Sequence, residues 1–265
     1  MITHSDIKNF FIDKLEVKIY EDRNNLGRTA AKEVHDKIID IAKKKNDIRM
    51  IFAAAPSQNE LLYELSQMKD TPWEQITAFH MDEYIGLSQN APQAFGNFLR
   101  ERLFSKVNFK KVNYVNSNPN SVEDECKRYT RLLNEEPIDI VCLGIGENGH
   151  IAFNDPPFAD FNDTKKVKVV NLDKVSRQQQ VNDGCFASFN EVPEKAITLT
   201  IPMLFSAKIL FTIVPGKTKA NAVAESLLGK ISESCPATIL RKHENAKLYL
   251  DIDSASIFQS KFTKV

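Results

Sequence analysis

The spacing of apolar positions changes several times along the chain, and each change marks an element. Leu15 to Tyr20 alternates as a short strand, after which Leu26, Ala30, Val34, Ile38 and Ile41 recur at helical spacing. Arg49 to Ala55 is a compact apolar run that predicts a strand, and Pro56 and Ser57 then lead into a helix carrying Leu61, Leu62 and Leu65. Ile76 to Phe79 reads as a further strand, and a loop is expected from Asp82 to Asn90. A helix near Phe95 to Phe104 precedes a short strand at Val112 to Val115. Ser121, with Asp124 three residues on, comes close to a capping box and opens a helix that runs to about Asn134.

The stretch Ile138 to Ile145 is nearly all apolar, as a strand covered on both faces must be. Strands are then expected at Val167 to Leu172, Ala196 to Ile201 and Lys208 to Val214. A helix follows from about Lys217 to Leu228, and a last strand lies near Lys247 to Ile252. Strands alternating with helices predict an α/β fold: a three-layer, mostly parallel, doubly wound (Rossmann-like) sheet with helices on both faces. No repeat and no Pro/Gly/Ser-rich linker divides the chain, so residues 1–265 read as one domain.

Composition narrows the partners. Hydrophobic residues make up 42%, enough for a sizeable core and too many for a disordered chain. The 35 basic and 35 acidic side chains cancel, which removes the electrostatic footprint of a nucleic-acid binder or of an anionic-membrane binder. Charges break up the first 17 residues, which have no apolar h-region, so no signal peptide is expected. The apolar runs are of strand length, far short of a membrane span. Cys126, Cys142, Cys185 and Cys235 form neither a CxxC pair nor a dense framework, which fits a reducing compartment and a cytoplasmic protein. Cys142, inside an apolar strand, reads as small core filler. No cluster has metal-ligand spacing.

In sheets of this kind ligands collect beyond the carboxyl ends of the strands. Four such ends carry polar or reactive residues: Pro56-Ser57-Gln58-Asn59, His80-Met81-Asp82-Glu83-Tyr84, Gly146-Glu147-Asn148-Gly149-His150, and Pro215-Gly216-Lys217-Thr218-Lys219. Taken singly, Ser57 reads as a helix cap, Asp82 and Glu83 as solvated loop acids, and Lys217 and Lys219 as surface lysines. His150 resists that reading. It stands beside Gly144, Gly146 and Gly149 at the end of a buried strand, where so much backbone freedom lets a chain approach a ligand. Four such ends meeting at one sheet edge point to a binding site. Gly144-x-Gly146-x-x-Gly149 formally matches the dinucleotide fingerprint, but that motif requires a helix at its third glycine. Pro156-Pro157 forbids a regular helix interior there.

On these residues the sequence resembles the glucosamine-6-phosphate deaminase (isomerising) family and, more distantly, the 6-phosphogluconolactonases. The likeness runs over nearly the whole chain. It is most specific in Phe79-His80-Met81-Asp82-Glu83-Tyr84 and in the string from Gly144 through Gly146, Asn148 and His150 to Asp155. Further likeness lies in Pro215 to Ala220 and in Cys235-Pro236-Ala237-Thr238-Ile239-Leu240. The resemblance implies an enzyme that opens the ring of an amino-sugar 6-phosphate, isomerises aldose to ketose and releases ammonia, with no cofactor. Under it, Asp82 aligns with the base that carries a proton between C2 and C1, and His150 with the imidazole that helps open the ring. Both assignments suit the chemistry, since a carboxylate can carry the labile C2 proton and histidine titrates near neutrality. Asn148 and Asp155 stand where the family has an aspartate and a glutamate that orient the histidine.

The phosphate end departs from the family. Its Thr/Ser-Gly-Gly-Thr loop is replaced by Ser57-Gln58-Asn59-Glu60, in which Glu60 adds a negative charge. A family arginine falls near Asn182. Lys219 matches the remaining phosphate lysine. Ser57, Gln58, Asn59, Gly146, Arg177 and Lys219 are therefore the expected substrate-binding residues, with Arg177, Gln58, Asn59 and Gln178 to Gln180 as replacement donors. The sequence leaves open the gluco or galacto epimer, a homo-oligomer and an effector. It also leaves open three other functions: a lactonase, a non-deaminating sugar-phosphate isomerase, and a non-catalytic sugar-phosphate-binding regulator.

Overall fold

The computed structural model describes residues 8–88 and 90–262. The part of the signal-peptide reading that falls on residues 1–7, and Gln89 in the expected 82–90 loop, lie outside the described residues. The first half of the chain runs β1 Lys8–Ile12, β2 Leu15–Tyr20, α1 Arg23–Ala42, β3 Ile48–Phe52, α2 Asn59–Gln67, β4 Ile76–His80, β5 Asp82–Tyr84, α3 Phe95–Leu99, β6 Lys111–Asn113 and α4 Val122–Asn134. The second half runs β7 Ile140–Leu143, β8 Val167–Asn171, α5 Lys174–Asn182, β9 Lys195–Leu199, α6 Ile201–Phe205, β10 Ile209–Val214, α7 Ala220–Leu228, β11 Ala246–Asp251 and α8 Ile252–Phe262. No helix among the described residues is long and apolar enough to cross a membrane.

Eight strands form one sheet in the order β1-β2-β11-β10-β7-β3-β4-β6. Every neighbouring pair is parallel except β1 with β2. From β3 the chain adds β4 and β6 on one side, then returns to lay β7, β10 and β11 on the other. The order therefore reverses between β3 and β7, and the loops that leave these two strands diverge to open a crevice.

Alternate residues along the central strands feed two separate cores. Ile51, Val141, Leu143, Leu210 and Leu248 face one, closed by Tyr129 of α4, Val223 and Leu227 of α7, and Phe258 of α8. Met50, Phe52, Ile140, Cys142, Phe211 and Tyr249 face the other, closed by Leu26, Ala30, Val34 and Ile38 of α1 and by Leu61, Leu62 and Leu65 of α2. The period of two with both faces apolar explains why these strands read as continuous hydrophobic runs. The three-layer expectation holds. Ser121 caps α4 by accepting the Asp124 N–H at 3.2 Å.

Four expectations change. The strands expected at Val167 to Leu172 and Ala196 to Ile201 leave the main sheet. With β5, itself expected as loop, they form a separate antiparallel sheet of order β5-β9-β8. One face of β8 meets solvent through Val169 and Asn171, as antiparallel but not parallel sheets allow. The strand expected to reach Ile201 stops at Leu199, because Thr200 accepts the Met203 N–H and caps α6. Ser57 is not a helix cap: it sits in a 3-10 turn, Pro56–Gln58, and α2 begins at Asn59 without a side-chain cap.

Candidate active site

A cavity of about 250 Å³ opens at the carboxyl ends of β3, β7 and β10, where the strand order reverses. Ser57, Asp82, Gly146, His150 and Lys219 line it. Gln58, Asn59, Asn148, Asp155 and Arg177 are not among its lining residues. Arg23, Gln179, Gln180, Asp183, Lys217 and Thr218 complete the polar part of the wall.

His150 is held from behind. Its Nδ1 lies 2.8 Å from Asn148 Oδ1, 2.9 Å from Ser176 Oγ and 3.0 Å from Asp155 Oδ1. The Ser176 hydroxyl also donates to Asp155 Oδ1, and Asn148 Nδ2 donates to the same oxygen at 3.0 Å. This crowd of acceptors fixes the Nδ1–H tautomer and leaves Nε2 free for chemistry in the cavity. Burial would raise the Asp155 carboxyl, but hydrogen bonds from His150, Asn148 and Ser176, with the charge of His150, hold it down to about 2. Gly146 makes the ring's position possible, since a Cβ there would lie 2.1 Å from His150 Cε1. Gly149 turns the chain at φ +83°, where a Cβ would strike Cys235 Sγ. No helix opens at Gly149, so the apparent dinucleotide motif lacks its required context.

Asp82 reaches the same cavity from the second sheet, opposite Thr198 in register. His80, two residues before it, sets its backbone: Nδ1–H donates to the Asp82 carbonyl at 2.9 Å, and Nε2 accepts the Val115 N–H at 2.9 Å. That pattern needs a neutral ring, and complete burial lowers its pKa to about 4. The Asp82 carboxyl is pushed well above the usual carboxylate range, first by burial and then by the charges of Glu83 and Asp155. Glu83 points elsewhere, as strand alternation requires. Its carboxylate accepts the N–H groups of Tyr84, Phe95 and Gly96 at 2.8–3.0 Å, and burial raises it to about 7 against those bonds.

The far end of the cavity differs from expectation. Arg177 faces away, with Nη2 donating to the carbonyls of Phe189 at 3.0 Å and Val192 at 2.7 Å and its guanidinium over the Phe189 ring. Gln58 is buried, its Nε2 reaching Ile213 O at 3.2 Å and Ser57 Oγ at 3.1 Å, so it ties strand ends together rather than meeting solvent. Asn59 Oδ1 accepts from Arg102 Nε at 2.7 Å. Gln178 bonds Asn182, whereas Gln179 and Gln180 do line the wall. Lys219 is 6% exposed, and burial lowers its pKa against the charges of Asp183 and Glu147, neither of which closes an ion pair with it. Glu60 is not a bare charge: Arg23 clasps it with Nε to Oε1 at 2.8 Å and Nη2 to Oε2 at 2.9 Å. A sequence signal for Arg23 existed. It follows β2, which runs parallel to β11 and ends at the same sheet edge, with Asp22 capping α1. Among the described residues no group of His, Cys, Asp and Glu is arranged to hold a metal ion.

Comparison with known proteins identifies the family and agrees with the fold. A family model described as glucosamine-6-phosphate isomerases/6-phosphogluconolactonase matches residues 21–249. A glucosamine-6-phosphate deaminase of Listeria monocytogenes is 34% identical over 222 residues, covering 83% of this chain and 92% of the relative. One from Bacillus cytotoxicus is 32% identical over 246 residues, covering 92% of this chain and 89% of the relative. The solved structure of a monomeric glucosamine-6-phosphate deaminase superposes with a TM-score of 0.83 at 32% identity, over 91% of this chain and 99% of that one. A 6-phosphogluconolactonase from Thermotoga maritima, 21% identical with a TM-score of 0.72 over 89% of this chain and 98% of its own, shares the fold. With two thirds and more of its length matched at this level, the chain belongs to the glucosamine-6-phosphate isomerase/6-phosphogluconolactonase family.

Proposed function

We propose that the protein is an isomerising deaminase that converts an amino-sugar 6-phosphate, glucosamine 6-phosphate or its galacto epimer, into the ketose 6-phosphate and ammonia. One observation carries the reading: two buried carboxyls, Asp82 and Asp155, serve one cavity with their proton affinities driven apart. Environments that separate two such groups mark which one exchanges protons and which stays charged. Asp155 stays ionised and, with Asn148 and Ser176, orients His150. Burial and the neighbouring charges of Glu83 and Asp155 raise the proton affinity of Asp82, so its carboxylate form is a stronger base than an exposed aspartate.

In this reading His150 Nε2 moves the proton that opens the ring. The open chain carries a C1 carbonyl, which makes the C2 proton labile. Asp82 removes that proton and returns it to C1 while a proton passes from the C2 nitrogen to O1, so that the C1 carbonyl becomes an alcohol and C2 becomes an imine. Water then adds at C2 and ammonia leaves, giving the ketose. Each step is a proton transfer or a hydrolysis and needs no electron acceptor. Ser57, Gly146 and Lys219 form the substrate wall, and Lys219 supplies positive charge to the phosphate end. Both sheets contribute to this one cavity, which supports treating residues 1–265 as a single domain. All four cysteines are free thiols, in keeping with a cytoplasmic reaction.

The test is ammonia release from glucosamine 6-phosphate, galactosamine 6-phosphate and the free hexosamines. Release from a phosphorylated sugar is the expected result. Hydrolysis of a 6-phosphogluconolactone with no ammonia from any hexosamine phosphate would replace the reading with a lactonase.

A further inference from the structure

Arg23 is the first residue of α1 and stands at the cavity wall with Ser57, Lys217 and Lys219. It is held in three places: two contacts to the Glu60 carboxylate and one from Nη2 to the Pro56 carbonyl at 3.1 Å. The frame under it is tight. One turn along α1, a Cβ at Gly27 would lie 2.3 Å from Glu60 Cβ, so α1 and α2 touch where the ion pair forms. These three contacts use Nε and Nη2. Nη1 makes none of them, and its two N–H groups are spare donors on a guanidinium whose plane is already fixed. An ion pair this open to solvent adds little to the stability of the fold. Its effect is to hold a forked donor at the rim.

We propose that Arg23 binds the anionic end of the substrate together with Lys219, and that Glu60 is the residue that aims it. The proposal rests on the amino-sugar phosphate reading above and names the side chain that takes over at its phosphate end. Arg177 is committed to two carbonyls, and Gln58 and Asn59 are tied within the fold, which leaves Arg23 as the guanidinium on this wall. A fixed fork meets phosphate oxygens in two places where a lysine meets them as a point charge.

The experiment compares wild type, Arg23→Ala and Arg23→Ala/Glu60→Gln. The double variant matters because Arg23→Ala alone exposes the Glu60 charge. Two quantities are read: KM and kcat for glucosamine 6-phosphate, and the dissociation constant of inorganic phosphate by calorimetry. The second needs no turnover, so it decides the role of Arg23 even if the wild type releases no ammonia and the deaminase reading fails. Losing one charge-assisted contact should raise KM and the phosphate constant by about 10- to 100-fold in both variants. Turnover at saturating substrate should fall far less than KM rises, since a contact to the phosphate holds the substrate and the transition state alike. Unchanged phosphate binding in Arg23→Ala would overturn the proposal. So would wild-type binding in the double variant, which would mean that Arg23 only neutralises Glu60.

Discussion

Asp155 Oδ1 lies 3.0 Å from His150 Nδ1, and the same oxygen also accepts from Asn148 Nδ2 and Ser176 Oγ. One fully buried carboxylate thus gathers the whole support of the imidazole, and that arrangement has a thermodynamic signature. Its carboxyl sits at about 2, below the value of roughly 3.9 in an unfolded chain. A depressed carboxyl stabilises the fold above its unfolded value and loses that contribution as pH falls through its folded value. The difference is worth about 2.5 kcal/mol. Asp155→Asn should therefore flatten the fall in unfolding free energy between about pH 5 and about pH 2, measured with urea, and should also lower turnover. Parallel curves for variant and wild type would show that Asp155 is not held as an ion.

Asn148→Asp looks, from sequence, like a return to the family pattern that should favour the charged imidazole. The contacts predict otherwise. Asn148 Nδ2 is a donor to Asp155 Oδ1 at 3.0 Å, and the substitution would replace that donor with a second carboxylate oxygen. Two carboxylates at that distance cannot both ionise, so one must take up a proton or the contact must break. The variant should unfold more easily by about 1–3 kcal/mol at neutral pH, the cost of losing a buried donor. It should recover part of this in mild acid. Thermal unfolding at about pH 7 and about pH 5 decides the matter, and a variant as stable as wild type at both would contradict this reading of the pair.

For Asp82 the expected effect lies in the chemical step. Asp82→Asn keeps size and polarity but cannot take a proton, so turnover of the phosphorylated sugar should fall by about 10²- to 10⁴-fold with KM little changed. Glu83→Gln offers a matched control, because Glu83 binds the Phe95 and Gly96 N–H groups rather than facing the cavity. It should cost far less turnover and show its effect in stability. Equal losses in the two variants would deny Asp82 its separate role.

The legibility of this site followed the strength of local pattern. The buried strands β3, β7 and β10 announce themselves as apolar runs, and with them come the loops that carry Ser57, His150 and Lys219. The small sheet does not. β5 is three residues, Asp82–Tyr84, and its partners lie more than a hundred residues on, so only tertiary pairing distinguishes it from the loop expected there. Helix α5 is also silent, since Lys174–Asn182 carries two apolar side chains and no clear stripe, yet it brings Ser176 to His150 and Gln179 and Gln180 to the wall. Arg177 shows the opposite error. A lone arginine near a vacant family position suggests compensation, but direction is set by helix phase and by the carbonyls that side chain can reach.

That direction leads to a contrast between two cations of similar sequence appeal. Lys219 is buried on the cavity wall with no ion-pair partner, whereas Arg177 spends its guanidinium on the carbonyls of Phe189 and Val192 and on the Phe189 ring. Removing the lysine withdraws charge from the ligand and leaves the fold without an orphaned group. Lys219→Ala should raise KM for the phosphorylated sugar by about 10- to 100-fold and change the free hexosamine little. Removing the arginine orphans two carbonyls and withdraws nothing from the cavity. Arg177→Ala should therefore lower stability by about 1–3 kcal/mol and leave the preference for the phosphorylated sugar where it was. Steady-state kinetics on both sugars, with thermal unfolding of each variant, separates the two roles. If Lys219→Ala keeps the wild-type preference while Arg177→Ala loses it, the phosphate is bound from the α5 side and the cavity wall described here is not where the substrate's charge rests.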